Sequence, residues 1–295
     1  MSLRDRTGEK PDLYRRAGRV DTPAGHLLVP LAGLEAALAA RIGNGEIGVE
    51  IDNTVRAATL APVERLRAIR AAVSGRIVFT TSFGLEDQAL THLVVESGVD
   101  MEFATLDTGR LFPQSYTLWR ETEARYGLRI RALYPRHDAL EALVAAQGVD
   151  GFYDSVAARK ACCGARKVEP LGRALAGAAG WVTGLRADQS AARGEAPLVE
   201  VNAHYGLVKF NPLIDWSREA VVAFVAAHGA PVNPLHEAGF LSIGCAPCTR
   251  AVAPGEPERA GRWWWEDETK KECGLHVDAE GRLRRAAPLA EGAAP

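Results

Sequence analysis

Between Arg76 and Leu213, short apolar or β-branched runs alternate with helical segments, and this alternation limits the fold more than any other feature. The runs are RIVFTTS, EFATLD, RIRALYP, GWVTGLR and LVKFNPL, and the helical segments begin near Glu86, Pro113, Asp138, Arg166 and Ser217. Such a pattern predicts an α/β fold with a mainly parallel, twisted sheet covered by helices on both faces. Leu90, Leu93 and Val94 recur at i, i+3 and i+4, and SREAVVAFVAAHG opens on a capping Ser217 and closes at Gly229, so both segments read as scaffold.

Outside this region the periodicity fades. Residues 1–56 read as an N-terminal extension with one helix at LAGLEAALAARIG, residues 57–255 as the regular domain, and residues 256–295 as a mobile C-terminal tail. The polar N-terminus has no signal-peptide core, and no run reaches the roughly 18 apolar residues of a spanning helix. A cytoplasmic location with no membrane partner is expected, and the chain is compatible with a homo-oligomer. A formal net charge of −2 advertises no nucleic-acid partner, so an anionic ligand has to meet a local cluster of Arg and Lys.

Five cysteines in a reducing compartment point to metal binding or catalysis rather than to a disulfide framework. Cys162 and Cys163 are adjacent in KACCGARK, and Cys245 and Cys248 form a C-x-x-C in IGCAPCTR. Four thiolates can complete a zinc site or hold an iron–sulfur cube. Adjacent side chains diverge, which favours the separate iron corners of a cube over a single zinc ion. Buried free thiols for the first pair and a redox dithiol for the second are the alternatives.

The first strand runs into TTSFGLED, where Thr81, Ser82, Phe83, Gly84, Glu86 and Asp87 form a strand-to-helix turn able to offer N–H groups to an anion. An ordinary βα turn has similar residues. Leu106, Asp107, Thr108 and Gly109 end the second strand, and Gly184, Arg186 and Arg193 follow the fourth, all at the carboxyl edge where open α/β sheets bind ligands. Arg166, Lys167, Arg250, Arg259 and Arg262 gather near the cysteines and suit sulfate or phosphate oxygens. The fifth thiol, Cys273, stands apart in ETKKECGLH, where Lys270, Lys271 and His276 are candidates to stabilise its thiolate.

Taken in order, TTSFGLEDQ, LDTGRLFPQSY, CCGARKVEPL, TGLRADQS, FNPLIDWS, GCAPCTR, GRWWWE and KKECGLH resemble the assimilatory sulfonucleotide reductases of the adenylylsulfate (APS) type, over roughly Gly75 to His276. The resemblance implies a Rossmann-like, adenine-nucleotide hydrolase-like fold, a [4Fe-4S] cluster, reduction of APS to sulfite and AMP, and thioredoxin as electron donor. It also implies cluster ligands at Cys162, Cys163, Cys245 and Cys248, a nucleophile at Cys273, phosphosulfate contacts at Lys167, Arg259 and Arg262, and a nucleotide loop from Ser82 to Asp87. Thr81 departs from the commoner double-serine opening of that loop. Relatives that reduce 3′-phosphoadenylylsulfate (PAPS) generally lack both cysteine pairs, so their presence favours APS. A PAPS or dual-substrate reductase, an adenylating enzyme, and a non-catalytic metal-cluster sensor are the competing readings.

Overall fold

The computed structural model describes residues 60–267 apart from Glu195 and Ala203. The helix expected at LAGLEAALAARIG, together with Lys270, Lys271, Cys273 and His276, lies outside the described residues.

Among the described residues, six strands form one sheet: β1 (Ile77–Thr81), β2 (Glu102–Leu106), β3 (Ile130–Leu133), β4 (Gly180–Val182), β5 (Val199–Asn202) and β6 (Leu207–Phe210). Their order is β3-β2-β1-β4-β6-β5, and only β5 runs antiparallel to its neighbour. Phe79 of β1 sits in register with Phe103 of β2 and Val182 of β4. The strand order therefore reverses at β1, and a crevice opens between the carboxyl ends of β1 and β4. The expected parallel order holds. The edge strand β5 is an addition: its hairpin with β6 turns through Gly206 at φ 68°, a short-range pairing outside the strand–helix alternation.

Among the described residues, seven α-helices flank the sheet: α1 (Pro62–Ala72), α2 (Leu85–Ser97), α3 (Pro113–Tyr126), α4 (His137–Gln147), α5 (Val156–Cys163), α6 (Glu169–Leu175) and α7 (Arg218–Ala227). Proline at the first position starts α1 and α3, where its missing N–H costs nothing. Ser217 caps α7 by accepting the Ala220 N–H at 3.1 Å. The helix expected to begin near Arg166 begins at Val156 instead. Ser155 accepts the Ala158 N–H at 3.1 Å, and the coil then continues through a π-helical turn, Gly164–Val168, into α6. Gly164 keeps right-handed helical angles and so does not end the helix.

Alternate residues of the strands face opposite layers, as a half-turn period per residue requires. Ile77 and Phe79 pack with α1, α2 and α7 through Leu66, Leu90, Val221 and Val225. Val78 and Trp181 pack on the other face against Leu171 and Leu175 of α6. A third apolar cluster joins all four paired cysteines to Phe152 and Trp263. This arrangement sets the cysteines beside the carboxyl edge of the sheet.

Candidate functional site: a nucleotide cleft against four buried thiols

A cleft of about 1280 Å³, including its open mouth, lies over the carboxyl ends of β1, β2 and β4. Thr81, Ser82, Gly84, Glu86 and Asp87 line one side, and Leu106, Thr108, Gly184 and Arg193 line the floor and far wall. Lys167, Arg259 and Arg262 supply cations.

The loop after β1 is tied to its own helix. Asp87 accepts the Ser82 N–H at 2.6 Å and the Ser82 hydroxyl at 2.7 Å. It also accepts the Gly184 N–H, which links the β1 and β4 loops. Burial pushes Asp87 up to about 6, against the pull of those donors. Gly184 has to be glycine, because a Cβ there would lie 2.4 Å from Asp87 Oδ1. No side chain caps α2 at Gly84, and the start of this helix, from Gly84 to Asp87, lines the cleft.

Three of the residues singled out in the sequence act from behind the cleft wall. Phe83 adopts φ 60° and is buried, its ring stacked on Trp119 at 5.6 Å, so it anchors the loop rather than lining the cleft. Asp107 is buried and accepts from the Gly109 N–H at 2.9 Å and the Tyr116 hydroxyl at 2.8 Å, shaping the turn after β2. Gly109 permits that turn at φ 70°.

Arg186 is completely buried, and its guanidinium meets Glu86, Asp188 and Glu258. Burial pushes Glu86 up, but the Arg186 guanidinium and neighbouring hydrogen bonds outweigh it and hold Glu86 below its ordinary value; burial raises Glu258. Arg193 donates to Gln189 Oε1 at 2.6 Å and lines the cleft. Arg250 pairs with Glu256 at 2.8 Å and lies outside the cleft lining.

The sequence did not single out His236, the Leu241–Gly244 stretch or Glu258, yet all line the cleft. Gly244 was the legible signal among them: a Cβ there would fall 2.2 Å from an Arg262 guanidinium nitrogen, so the backbone has to pass close to that side chain.

The four paired cysteines are all buried. Cys162 and Cys163 close α5, while Cys245 and Cys248 bracket a tight turn, Ala246–Cys248. A second cavity carries all four thiols with Arg110, Arg159, Arg166, Lys167 and Trp263. Burial raises the Cys162 thiol, and burial with the nearby Cys245 pushes Cys248 up to about 11. Burial thus disfavours the thiolate form of Cys162 and Cys248, and the cavity's own Arg and Lys side chains oppose that effect. Among the described residues, no three His, Cys, Asp or Glu side chains converge on a single-ion site. The enclosure has the chemistry of a larger sulfur-ligated group. It has four thiols, several cations, and a buried Trp263 indole N–H with no hydrogen-bond partner among the described residues.

Lys167 and Cys245 line both cavities. Thr108 closes the contact between them: its hydroxyl lies 3.3 Å from Cys245 Sγ, and its carbonyl accepts from Arg166 Nη1 at 2.6 Å. The basic end of the cleft and the thiol cavity therefore share a wall.

A basic cleft at the switch point of a parallel sheet, abutting a four-thiol cavity through a lysine, defines a class of α/β proteins in which a candidate ligand site and a group of buried thiols share one wall. Residues 76–251 match the phosphoadenosine phosphosulfate reductase domain, and the chain belongs to that family. It is 55% identical over 210 residues to the adenosine 5′-phosphosulfate reductase of Rhizobium meliloti (strain 1021), covering 71% of this chain and 79% of that one. The enzyme of the same name from Allochromatium vinosum is 54% identical over 200 residues, covering 68% of this chain and 78% of the relative. A crystal structure of Candida auris phosphoadenylyl-sulfate (PAPS) reductase in complex with phosphate superposes with a TM-score of 0.57 at 27% identity, covering 66% of this chain and 92% of that one. Among the described residues, no helix is long and apolar enough to cross a membrane.

Proposed function

We propose that the chain reduces adenosine 5′-phosphosulfate to sulfite and AMP in sulfate assimilation toward cysteine, in the cytoplasm, with a thioredoxin-type dithiol protein as donor. The observation that carries this reading is the wall shared by the nucleotide cleft and the thiol cavity, with Lys167 and Cys245 on both sides. The curated relatives of the same name add support at more than half identity.

Ser82, Gly84, Glu86 and Asp87, with Leu106, Thr108 and Gly184, would seat the nucleotide, while Phe83, Asp107 and Gly109 shape the turns behind them and Lys167, Arg259 and Arg262 address its phosphate and sulfate oxygens. Cys162, Cys163, Cys245 and Cys248 would hold a [4Fe-4S] cluster, which when bound would brace the site and contribute to the local field. The Cys273 thiolate attacks the sulfate sulfur, the bond from that sulfur to the bridging oxygen breaks, and AMP leaves with the electron pair. Cys273 then carries an S-sulfo group. Lys270, Lys271 and His276 are positioned by sequence to favour the thiolate. A donor thiolate attacks Cys273 Sγ and sulfite departs with the S–S pair. The donor's second thiol resolves the mixed disulfide and frees Cys273. With four thiols committed as ligands, the resolving thiol has to come from another protein.

Replacing Cys273 with Ser tests this in the presence of APS and a thioredoxin system. Intact cluster absorbance with no sulfite is expected, and sulfite at the parent rate would defeat the proposal. The Candida auris likeness favours PAPS as a second substrate reading, and comparing sulfite release from APS and PAPS separates the two.

A further inference from the structure

The cleft arginines Arg259 and Arg262 lie on a segment tied down at both ends by buried ion pairs. At the near end, Glu258 Oε2 lies 2.8 Å from Arg186 Nη2, and Arg186 is wholly buried. Arg218, the first residue of α7, approaches the other Glu258 oxygen at 3.4 Å. At the far end, Glu266 meets Arg159 at 2.7 Å, with both side chains almost fully enclosed. Between them Arg262 N–H donates to Arg259 O at 2.9 Å within the segment, and Gly261 O accepts the N–H of Arg250, which lies outside it, at 3.0 Å.

Arg186 also grips Glu86 Oε1 at 2.8 Å, in the first turn of α2, so one guanidinium joins the helix behind the nucleotide loop to the segment bearing the arginines. A buried ion pair is weak as a source of stability, because desolvation consumes much of its attraction. What it fixes is position. Hydrogen bonds from a forked guanidinium set direction as well as distance.

We infer that Glu258 and Arg186 are positioning residues that hold Arg259 and Arg262 against the phosphate end of the cleft, coupling phosphate recognition to the loop after β1. This rests on the proposed phosphate role of the two arginines. Adenosine lacks a phosphate, so a positioning role affects AMP and spares adenosine, whereas a fold role or a direct nucleoside contact affects both.

The experiment measures AMP and adenosine binding by calorimetry on the full-length, cluster-loaded protein, in the parent, Glu258→Gln, Glu258→Asp and Arg259→Ala. Losing the charge of Glu258 should weaken AMP by about tenfold, the scale of one misplaced charged hydrogen bond. Adenosine binding should match the parent. Glu258→Asp keeps the charge on a shorter stem and should fall between parent and Gln, which preserves the test should the Gln variant fail to fold. Equal losses for AMP and adenosine, or parent AMP affinity in both Glu258 variants while Arg259→Ala is weakened, would overturn the inference alone. Parent AMP affinity in Arg259→Ala would defeat the phosphate-site reading and this inference with it.

Discussion

The Thr108 hydroxyl lies 3.3 Å from Cys245 Sγ, so the turn that ends β2 touches both the nucleotide cleft and the thiol cavity. The same hydroxyl accepts the Arg110 N–H at 3.2 Å. Thr108→Val keeps the shape but strips both bonds, leaving a backbone donor without its acceptor. It should cost about 1–3 kcal/mol of stability, read as a lowered thermal midpoint.

Lys167 is the cation common to both cavities. Lys167→Met should lower kcat/KM for APS by about a hundredfold, the scale of removing one oriented group that meets developing charge. Adenosine affinity should remain at the parent value. Steady-state kinetics with parallel adenosine titration checks both.

Gly184→Ala would drive a Cβ to 2.4 Å from Asp87 Oδ1 and 3.2 Å from its backbone nitrogen. The carboxylate cannot retreat without releasing Ser82, so a loss of about 1–3 kcal/mol is expected. AMP binding should weaken with it, measured by denaturation and calorimetry on the same preparation.

Asp87 contributes a pH dependence of definite sign. Its folded value, about 6, exceeds its ordinary 3.8, so the folded chain holds this proton more tightly than the unfolded chain does. Stability from this group is therefore present at acid pH and is lost as pH rises from about 4 to about 6, by roughly 2–3 kcal/mol. Asp87→Asn should lack that slope, seen by comparing unfolding free energies of parent and variant across the window.

Much of the fold was legible because the chain repeats one local rule: apolar strand, turn, helix. The cysteine pairs and the β1 loop were equally readable, since each is contiguous. What escaped depends on contacts remote in sequence. Arg186 at a strand end reads equally as a ligand contact or an ion-pair partner until folding brings Glu86 and Glu258 to it, 100 and 72 positions away. Phe83 sits within the loop motif, yet its left-handed backbone turns the ring onto Trp119 and away from the cleft. The start of α5 was obscured because its cap, Ser155, precedes a segment whose most conspicuous feature is the CCG at its far end.

The central claim is that Cys273 takes the sulfo group from the nucleotide and that no internal thiol releases it. The direct measurement is a single turnover of the cluster-loaded protein with APS and no thiol donor, followed by mass analysis of the intact chain and its peptides. The account predicts release of AMP, retention of one SO₃ group on Cys273, and free sulfite only after a reduced dithiol protein is added. Free sulfite without a donor, or the SO₃ group on any other residue, would contradict it.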